Sequence, residues 1–419
     1  MASKKKALRI HYPEEQRYAC RDCPARCCRT PWGIPVSPEV AHAALSDSGL
    51  RERLVGRAPA ILAGGTLPMV ERDRQLQCVF LDDDLLCGLQ KRFGHSGIPQ
   101  ACQAYPFGFM KNEQGEPVAL LSRHCPSIRD NYGELLSGQI ASKLEQAGGA
   151  RPLASRMGLR SGRTLALKQY LMVVGAWREI LAAGSPLRGA LQSYALTDEF
   201  DDVLPRGAEP KDLEVQQAIE VARERTVLAS QERRTRPTWQ ARVFYAHVLG
   251  SLSYPARVLP EFAARRSSFS QRVGAWGNKL SWLLQVGKVD LLYVPSPVAM
   301  AQIDRVPPFL AGELAPLVAE YLGEVIARGQ LFARQTYLTR VIVDLGLTLC
   351  VVSRFARASA VGHGRKEVAK ADVLEALGVA DLVMAHRGEG HQDTVLENLR
   401  LALMSDPKAF RRFLASEVP

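Results

Sequence analysis

Eight of the nine cysteines in this 419-residue chain fall within its first 125 residues, and four of them occupy nine positions, Cys20-Arg21-Asp22-Cys23-Pro24-Ala25-Arg26-Cys27-Cys28. The other four are Cys78, Cys87, Cys102 and Cys125; only Cys350 lies elsewhere. Such clustering forces the N-terminal third to be organised by sulfur chemistry, either disulfides or metal. The choice turns on compartment. The basic start Met1-Ala2-Ser3-Lys4-Lys5-Lys6 is followed by no apolar run or small-residue cleavage site of a signal peptide, so the expectation is a cytoplasmic chain, where thiols stay reduced. Closely spaced cysteines in that setting read as metal ligands. A chain of this length also buries a large core without disulfide staples.

The spacing adds detail. Cys20 and Cys23 form a CxxC pair, which brings two thiolates onto one ion from a tight turn. Cys27 and Cys28 are adjacent, and neighbouring side chains diverge, so the pair is expected to serve different centres or different atoms of a cluster. A vicinal disulfide is disfavoured by its strained geometry. Cys78-Val79-Phe80-Leu81-Asp82-Asp83-Asp84-Leu85-Leu86-Cys87 reads as a β-hairpin with its loop at 81–84, Phe80 opposite Leu85 and Cys78 opposite Cys87. The triple aspartate is read as a solvated turn ahead of a hard-cation site. Cys102 precedes Tyr105-Pro106-Phe107, and Cys125 follows His124. Eight cysteines make two four-cysteine sites, or one iron–sulfur cluster with a second metal. His95 and His124 are candidate substitute ligands, read first as hydrogen-bonding neighbours. Arg21, Arg26, Arg29 and Arg123 stand beside the cysteines and suit the negative charge of a thiolate site; an ordinary surface role is equally open to them. Tyr105 is read as packing around the metal core.

The order CxxCxxxCC, then C-x8-C, then a cysteine before Tyr-Pro-Phe, then a later Cys-Pro, resembles the YkgJ-type cysteine-cluster proteins, which chelate zinc or iron. The bacterial flagellin lysine N-methylases belong to that group and share the plan of a cysteine region followed by a long helical portion. The resemblance covers roughly residues 15–135. It implies that Cys20, Cys23, Cys27, Cys28, Cys78, Cys87, Cys102 and Cys125 are metal ligands. It further implies zinc, iron or an iron–sulfur cluster as cofactor, S-adenosylmethionine as methyl donor, and a flagellin-like protein substrate modified on lysine.

The residues by themselves carry no usual methyltransferase signature. No Gly-x-Gly loop follows a strand, and no alternating βα pattern builds a Rossmann-like sheet. Radical adenosylmethionine enzymes use CxxxCxxC; Cys23-x3-Cys27 begins that spacing, but Thr30 holds the third place. HExxH, Walker A and GxSxG motifs are also absent. Methyl transfer would therefore need an unusual site between the cluster and the helical domain; the family resemblance implies a methyl donor bound directly at an open iron site, with one of the eight cysteines left as a non-ligand. The alternative is non-enzymatic: zinc closes a structural domain, and the basic helical portion binds a partner. Iron handling or delivery is a third reading.

Texture divides the chain. Residues 12–135 form the expected irregular, Cys-rich metal-binding domain with its short hairpin. Residues 146–163, rich in Gly, Ser and Arg, read as a linker. Residues 164–419 read as a helical domain, with helices expected over 164–183, 212–235, 238–252, 311–328, 331–358, 366–378 and 392–416. The fold class is thus mainly α. The most apolar run, 341–352, is too short for a membrane span, contains Asp344 and reads as a buried helix holding Cys350. Net charge is +11, of which +3 lies in residues 1–150 and +8 in the remainder. Arg223, Arg225, Arg233, Arg234, Arg236 and Arg242, with Trp239 nearby, and Arg265-Arg266 are read as solvated helix faces ahead of an interface for acidic protein or nucleic acid. No zinc-finger or helix-turn-helix spacing supports DNA recognition.

Overall fold

The computed structural model describes residues 10–20, 23–30, 34–56, 62, 65–72, 75–112, 114–152, 156–205, 209–226, 237–250, 269–327, 337–385 and 394–417. Helix accounts for 59% and strand for 11%, so the protein is mainly α. The chain forms two compact units, Met1–Pro152 and Leu153–Pro419, dividing inside the stretch read as a linker.

The N-terminal unit is built from short pieces. In order they are β1 (Arg17–Tyr18), a 3-10 turn (Cys27–Arg29), α1 (Pro38–Ser46), α2 (Ser48–Arg53), β2 (Met69–Arg72), β3 (Gln75–Cys78), α3 (Gly88–Phe93), α4 (Gln100–Ala104), β4 (Phe107–Lys111), β5 (Pro117–Leu121), α5 (Pro126–Asp130), β6 (Glu134–Leu135) and α6 (Ile140–Gln146). The strands pair antiparallel as β1–β6, β2–β3 and β4–β5. Two small cores result. One gathers Val36, Ala41, Leu50, Leu54, Phe80 and Leu89 around Cys78, with Cys28, Cys87 and Cys102 packed against it. The other gathers Tyr18, Phe107, Phe109, Leu121, Ile128 and Leu136 around Cys125, with Tyr105 against it. Each core thus has cysteines at its edge.

The expected Cys78–Cys87 hairpin is replaced by a different pairing. Cys78 ends β3 and sits opposite Met69 of β2, while Cys87 bridges Leu81. The chain turns between them because Leu85 takes a left-handed φ of 64° and the Gly88 amide donates to the Phe80 carbonyl at 2.7 Å. A Cβ on Gly88 would meet that carbonyl at 3.2 Å and Asp82 at 3.1 Å, so the position is tight for any larger residue.

The helical unit begins with a hairpin of β7 (Arg156–Gly158) and β8 (Thr164–Ala166), so part of the expected linker is paired strand. Helices α7 (Leu167–Ala182), α8 (Pro186–Val203), α9 (Asp212–Thr226), α10 (Trp239–Val248) and α11 (Phe269–Leu284) follow. After a small β9–β10 pair (Lys288–Val289, Val298–Ala299) come α12 (Met300–Ile303), α13 (Ala315–Ala327), α14 (Leu338–Gly362), α15 (Lys370–Ala380), α16 (Thr394–Ser405) and α17 (Pro407–Leu414). The expected helix 392–416 is broken, because Asp406 caps a new helix through the Lys408 amide at 2.8 Å and Pro407 starts it. Helices α8 and α11 and the short α12 lie outside the expected helices. The end of the expected helix 212–235 lies outside the described residues, as do Arg233, Arg234, Arg236, Arg265 and Arg266.

Helix α14 is the centre of this unit. Almost all of it is buried, including Cys350 and the 341–352 run apart from Asp344, and it packs against α8, α15 and α16. Asp344 is accommodated there by an ion pair with Arg400 of α16 at 2.6 Å. Among the described residues, no helix is long and apolar enough to cross a membrane. Gly346 marks the closest approach to α17: a Cβ there would stand 2.6 Å from the Phe410 ring. Gly346→Ala is therefore expected to lower the thermal midpoint despite a helix-propensity gain of about 1 kcal/mol, because overpacking costs about 1–3 kcal/mol. An unchanged or raised midpoint in a melting experiment would show that the ring yields freely.

Candidate metal centre

The eight N-terminal cysteines lie on several short elements, Cys28, Cys78, Cys87 and Cys102 with one core and Cys125 with the other. Cys27 and Cys28 are carried by the 3-10 turn, which lies against β3 and so brings Cys28 towards Cys78. Cys87 immediately precedes α3 and Cys125 immediately precedes α5. The approach to Cys20 is fixed from α5. The Ala19 amide donates to Ser127 Oγ at 2.7 Å, and the Arg17 amide to Asn131 Oδ1 at 2.8 Å. Gly133 passes so close that a Cβ would meet the Tyr18 carbonyl carbon at 2.6 Å, and its φ of 105° is one that L side chains rarely adopt.

Cys27 is the electrostatic hub. Ionisation of Cys23, Cys78, Cys87, Cys102 and Cys125 is disfavoured chiefly by burial, Cys20 is surface-exposed but crowded by the surrounding chain and the neighbouring sulfurs, and for every one of the six the Cys27 sulfur adds to the penalty. Cys28 feels Cys78, Cys87 and Cys102 as well. Two groups therefore meet at the vicinal pair: Cys20, Cys23 and Cys125 on one side, Cys28, Cys78, Cys87 and Cys102 on the other. The Cys27 and Cys28 sulfurs are 3.9 Å apart. They stay together rather than diverging, which corrects the expectation from adjacency. Two thiolates on one tetrahedral ion with bonds of about 2.3 Å would be about 3.8 Å apart.

The contact between these two sulfurs raises the Cys27 thiol most, ahead of burial. It favours the Cys28 thiolate, yet burial and the three facing sulfurs leave Cys28 raised. Burial carries Cys125 up to about 12. Without a cation, then, the group is a set of protonated thiols. Opposing this, amide N–H groups face several sulfurs and favour their thiolates. Ala25 and Arg26 do so at Cys23, Leu89 and Gln90 at Cys87, Ser127 and Ile128 at Cys125, and Phe80 at Cys78. Donors aimed at sulfur suit metal-bound thiolates, whose charge they spread. Among the described residues, no group of three or more His, Cys, Asp or Glu side chains is placed to hold a metal ion directly. None of the nine cysteines forms a disulfide.

The other candidates sort clearly. His124 is fully buried and its Nε2 lies 2.7 Å from Thr30 Oγ1. That hydroxyl donates to the Arg26 carbonyl at 2.8 Å, so His124 Nε2 is the donor to it and is directed at Thr30. His95 contacts Gln146 at 3.1 Å. Asp82 is taken by Arg53 at 2.6 Å and Lys91 at 2.8 Å, and Asp84 by Lys91. Arg26 is buried and its charge favours the Cys23 thiolate; Arg21 lies outside the described residues.

Three neighbours were missed from sequence. The Tyr18 hydroxyl hydrogen-bonds Cys20, the Tyr132 hydroxyl bonds Cys23, and Lys143 acts electrostatically on Cys20 from above the Tyr18 and Phe107 rings. Tyr18 stands two residues before Cys20, which is a weak signal; Tyr132 and Lys143 are distant in sequence and give none. Cys350 is remote from this group in sequence and fully buried in α14. No family model, curated protein or solved structure matches the chain.

Proposed function

We propose that the N-terminal unit is a thiolate metal centre taking zinc or an iron–sulfur cluster through Cys20, Cys23, Cys27, Cys28, Cys78, Cys87, Cys102 and Cys125. One observation carries this: the Cys27 and Cys28 sulfurs stand 3.9 Å apart, six further cysteines are electrostatically coupled to Cys27, and amide donors are turned towards several of them. Eight protonated thiols crowded together gain little by proximity. A cation reverses the sign of every one of those interactions, because it stabilises thiolates that otherwise repel. Binding then draws the sulfurs in to ligand distance.

The activity that the family resemblance implies is protein-lysine N-methylation with S-adenosylmethionine on a flagellin-like protein. Every sheet among the described residues is two-stranded and antiparallel, unlike the parallel Rossmann-like sheet that usually holds such a donor. The non-enzymatic alternative, structural zinc with a partner-binding helical unit, is favoured by an exposed apolar stripe on α11. X-ray absorption at the edge of the bound metal tests the shared premise. A first shell of sulfur alone at about 2.3 Å is expected; a shell of nitrogen and oxygen would sink the assignment.

A further inference from the structure

Helix α11 buries one face and exposes an apolar stripe on the other. Trp282 is fully buried, and the Asn278 side chain is buried on the same side. On the other side Val273, Trp276, Leu280 and Leu284 are 53%, 68%, 45% and 54% exposed. Their spacing of three, four and four residues confines them to about 80° of arc at 3.6 residues per turn. A stripe that narrow matches the a and d seam of paired helices, whereas a helix lying in a bilayer surface shows a broad apolar face. Gly277 borders the stripe and is itself exposed, with nothing near the position of an added Cβ, so another backbone has room to approach.

Charge chooses among helical occupants. Among the described side chains of residues 273–288, Lys279 and Lys288 are exposed and none is acidic. Lys279 is exposed beside the stripe. A second copy would bring lysines without acidic partners against one another, which opposes pairing.

We propose that α11 is a docking surface for an acidic amphipathic helix of a partner protein, with Val273, Trp276, Leu280 and Leu284 filling its apolar seam and Lys279 meeting its carboxylates. The proposal does not depend on which metal occupies the cysteine centre. The test uses the full chain and a fluorescein-labelled synthetic peptide of heptads with Leu at a and d and Glu at e and g, followed by anisotropy. The peptide is expected to bind, more weakly as salt rises. Leu280→Gln is expected to weaken binding roughly tenfold or more, as loss of a seam anchor does. Leu213→Gln, which changes an exposed leucine on α9 that is 64% accessible, is expected to leave it unchanged. The proposal is overturned by any of four results: no peptide binding, equal binding of the same peptide with Lys for Glu, equal losses at Leu213 and Leu280, or capture of the chain by phosphatidylglycerol vesicles without binding of the peptide.

Discussion

Cys27→Ser is expected to lose more metal than any other single cysteine substitution in the N-terminal unit. Cys27 stands 3.9 Å from Cys28 and is coupled electrostatically to the six others, whereas Cys102 sits apart on α4 and is coupled to Cys27, Cys28, Cys78 and Cys87. Cys102→Ser should thus spare part of the bound metal, and Cys27→Ser should release nearly all of it. The consequence for folding separates the two functional readings. A structural zinc site supplies about 10–16 kcal/mol of binding free energy, comparable to or larger than the whole stability of a domain, about 5–15 kcal/mol. If zinc is structural, Cys27→Ser unfolds the N-terminal unit, seen as loss of its amide-exchange protection. If the centre is catalytic, the unit stays folded while methyl transfer from S-adenosylmethionine to lysine stops. Cys350→Ser, buried in α14, should leave the metal content unchanged. Equal metal loss from Cys27→Ser and Cys102→Ser would remove the hub from the account.

Glu417→Ala is expected to destabilise the helical unit by about 3–5 kcal/mol, the cost of removing one partner from a buried ion pair. Arg354 and Arg357 of α14 are both essentially inaccessible, and so is Glu417. The Glu417 carboxylate accepts from Arg354 Nε at 3.0 Å, Ser353 Oγ at 2.6 Å and the Tyr245 hydroxyl at 2.7 Å, and it also pairs with Arg357. Asp304 reaches Arg354 from α12's C-terminal end but is 45% exposed, so it compensates only at the rim. Removing Glu417 leaves two guanidinium groups in the core without their main counter-ion. Replacement of all three by apolar residues should cost far less than Glu417→Ala alone.

The same group sets an acid limit. Burial by itself would raise the Glu417 pKa, but Arg357 and Arg354, aided by Ser353 and Tyr245, outweigh it and hold the carboxyl below its ordinary value. A carboxyl depressed in the folded state stabilises fully above its unfolded pKa of about 4.3 and loses that contribution as pH falls through the folded value. The helical unit should therefore lose stability below about pH 4.3, and Glu417→Ala should flatten that loss. Denaturant unfolding across this range measures it; an unchanged acid slope in the variant would contradict the assignment.

How much of this was legible in the sequence differs from residue to residue. The mainly helical class and the buried 341–352 run followed from apolar periodicity, which a 25-residue core helix displays over many turns. The break at Asp406-Pro407 carried a readable cap signal that the continuous apolar pattern on either side concealed. Helix α8 was missed although Ser185 and Pro186 mark its start, because buried Ser193, Thr197 and Asp201 blur its apolar face. Helix α11 was missed although Val273, Trp276, Leu280 and Leu284 recur at helical spacing. In the cysteine unit, the clustering was plain, but the pairing was not. Cys78 finds Met69, which precedes the short stretch read as a hairpin, and the meeting of Cys27 with Cys28 depends on a 3-10 turn that adjacency does not predict. The Glu417 cluster joins residues 60 or more apart along the chain and had no local signal.

The most direct test of the central claim is metal and acid-labile sulfide content, measured on protein purified without oxygen. The account predicts either about two zinc ions per chain, the number that eight thiolates support, or iron with matching sulfide and broad absorption near about 400 nm. Metal-free protein with eight titratable N-terminal thiols and an intact N-terminal unit would contradict it.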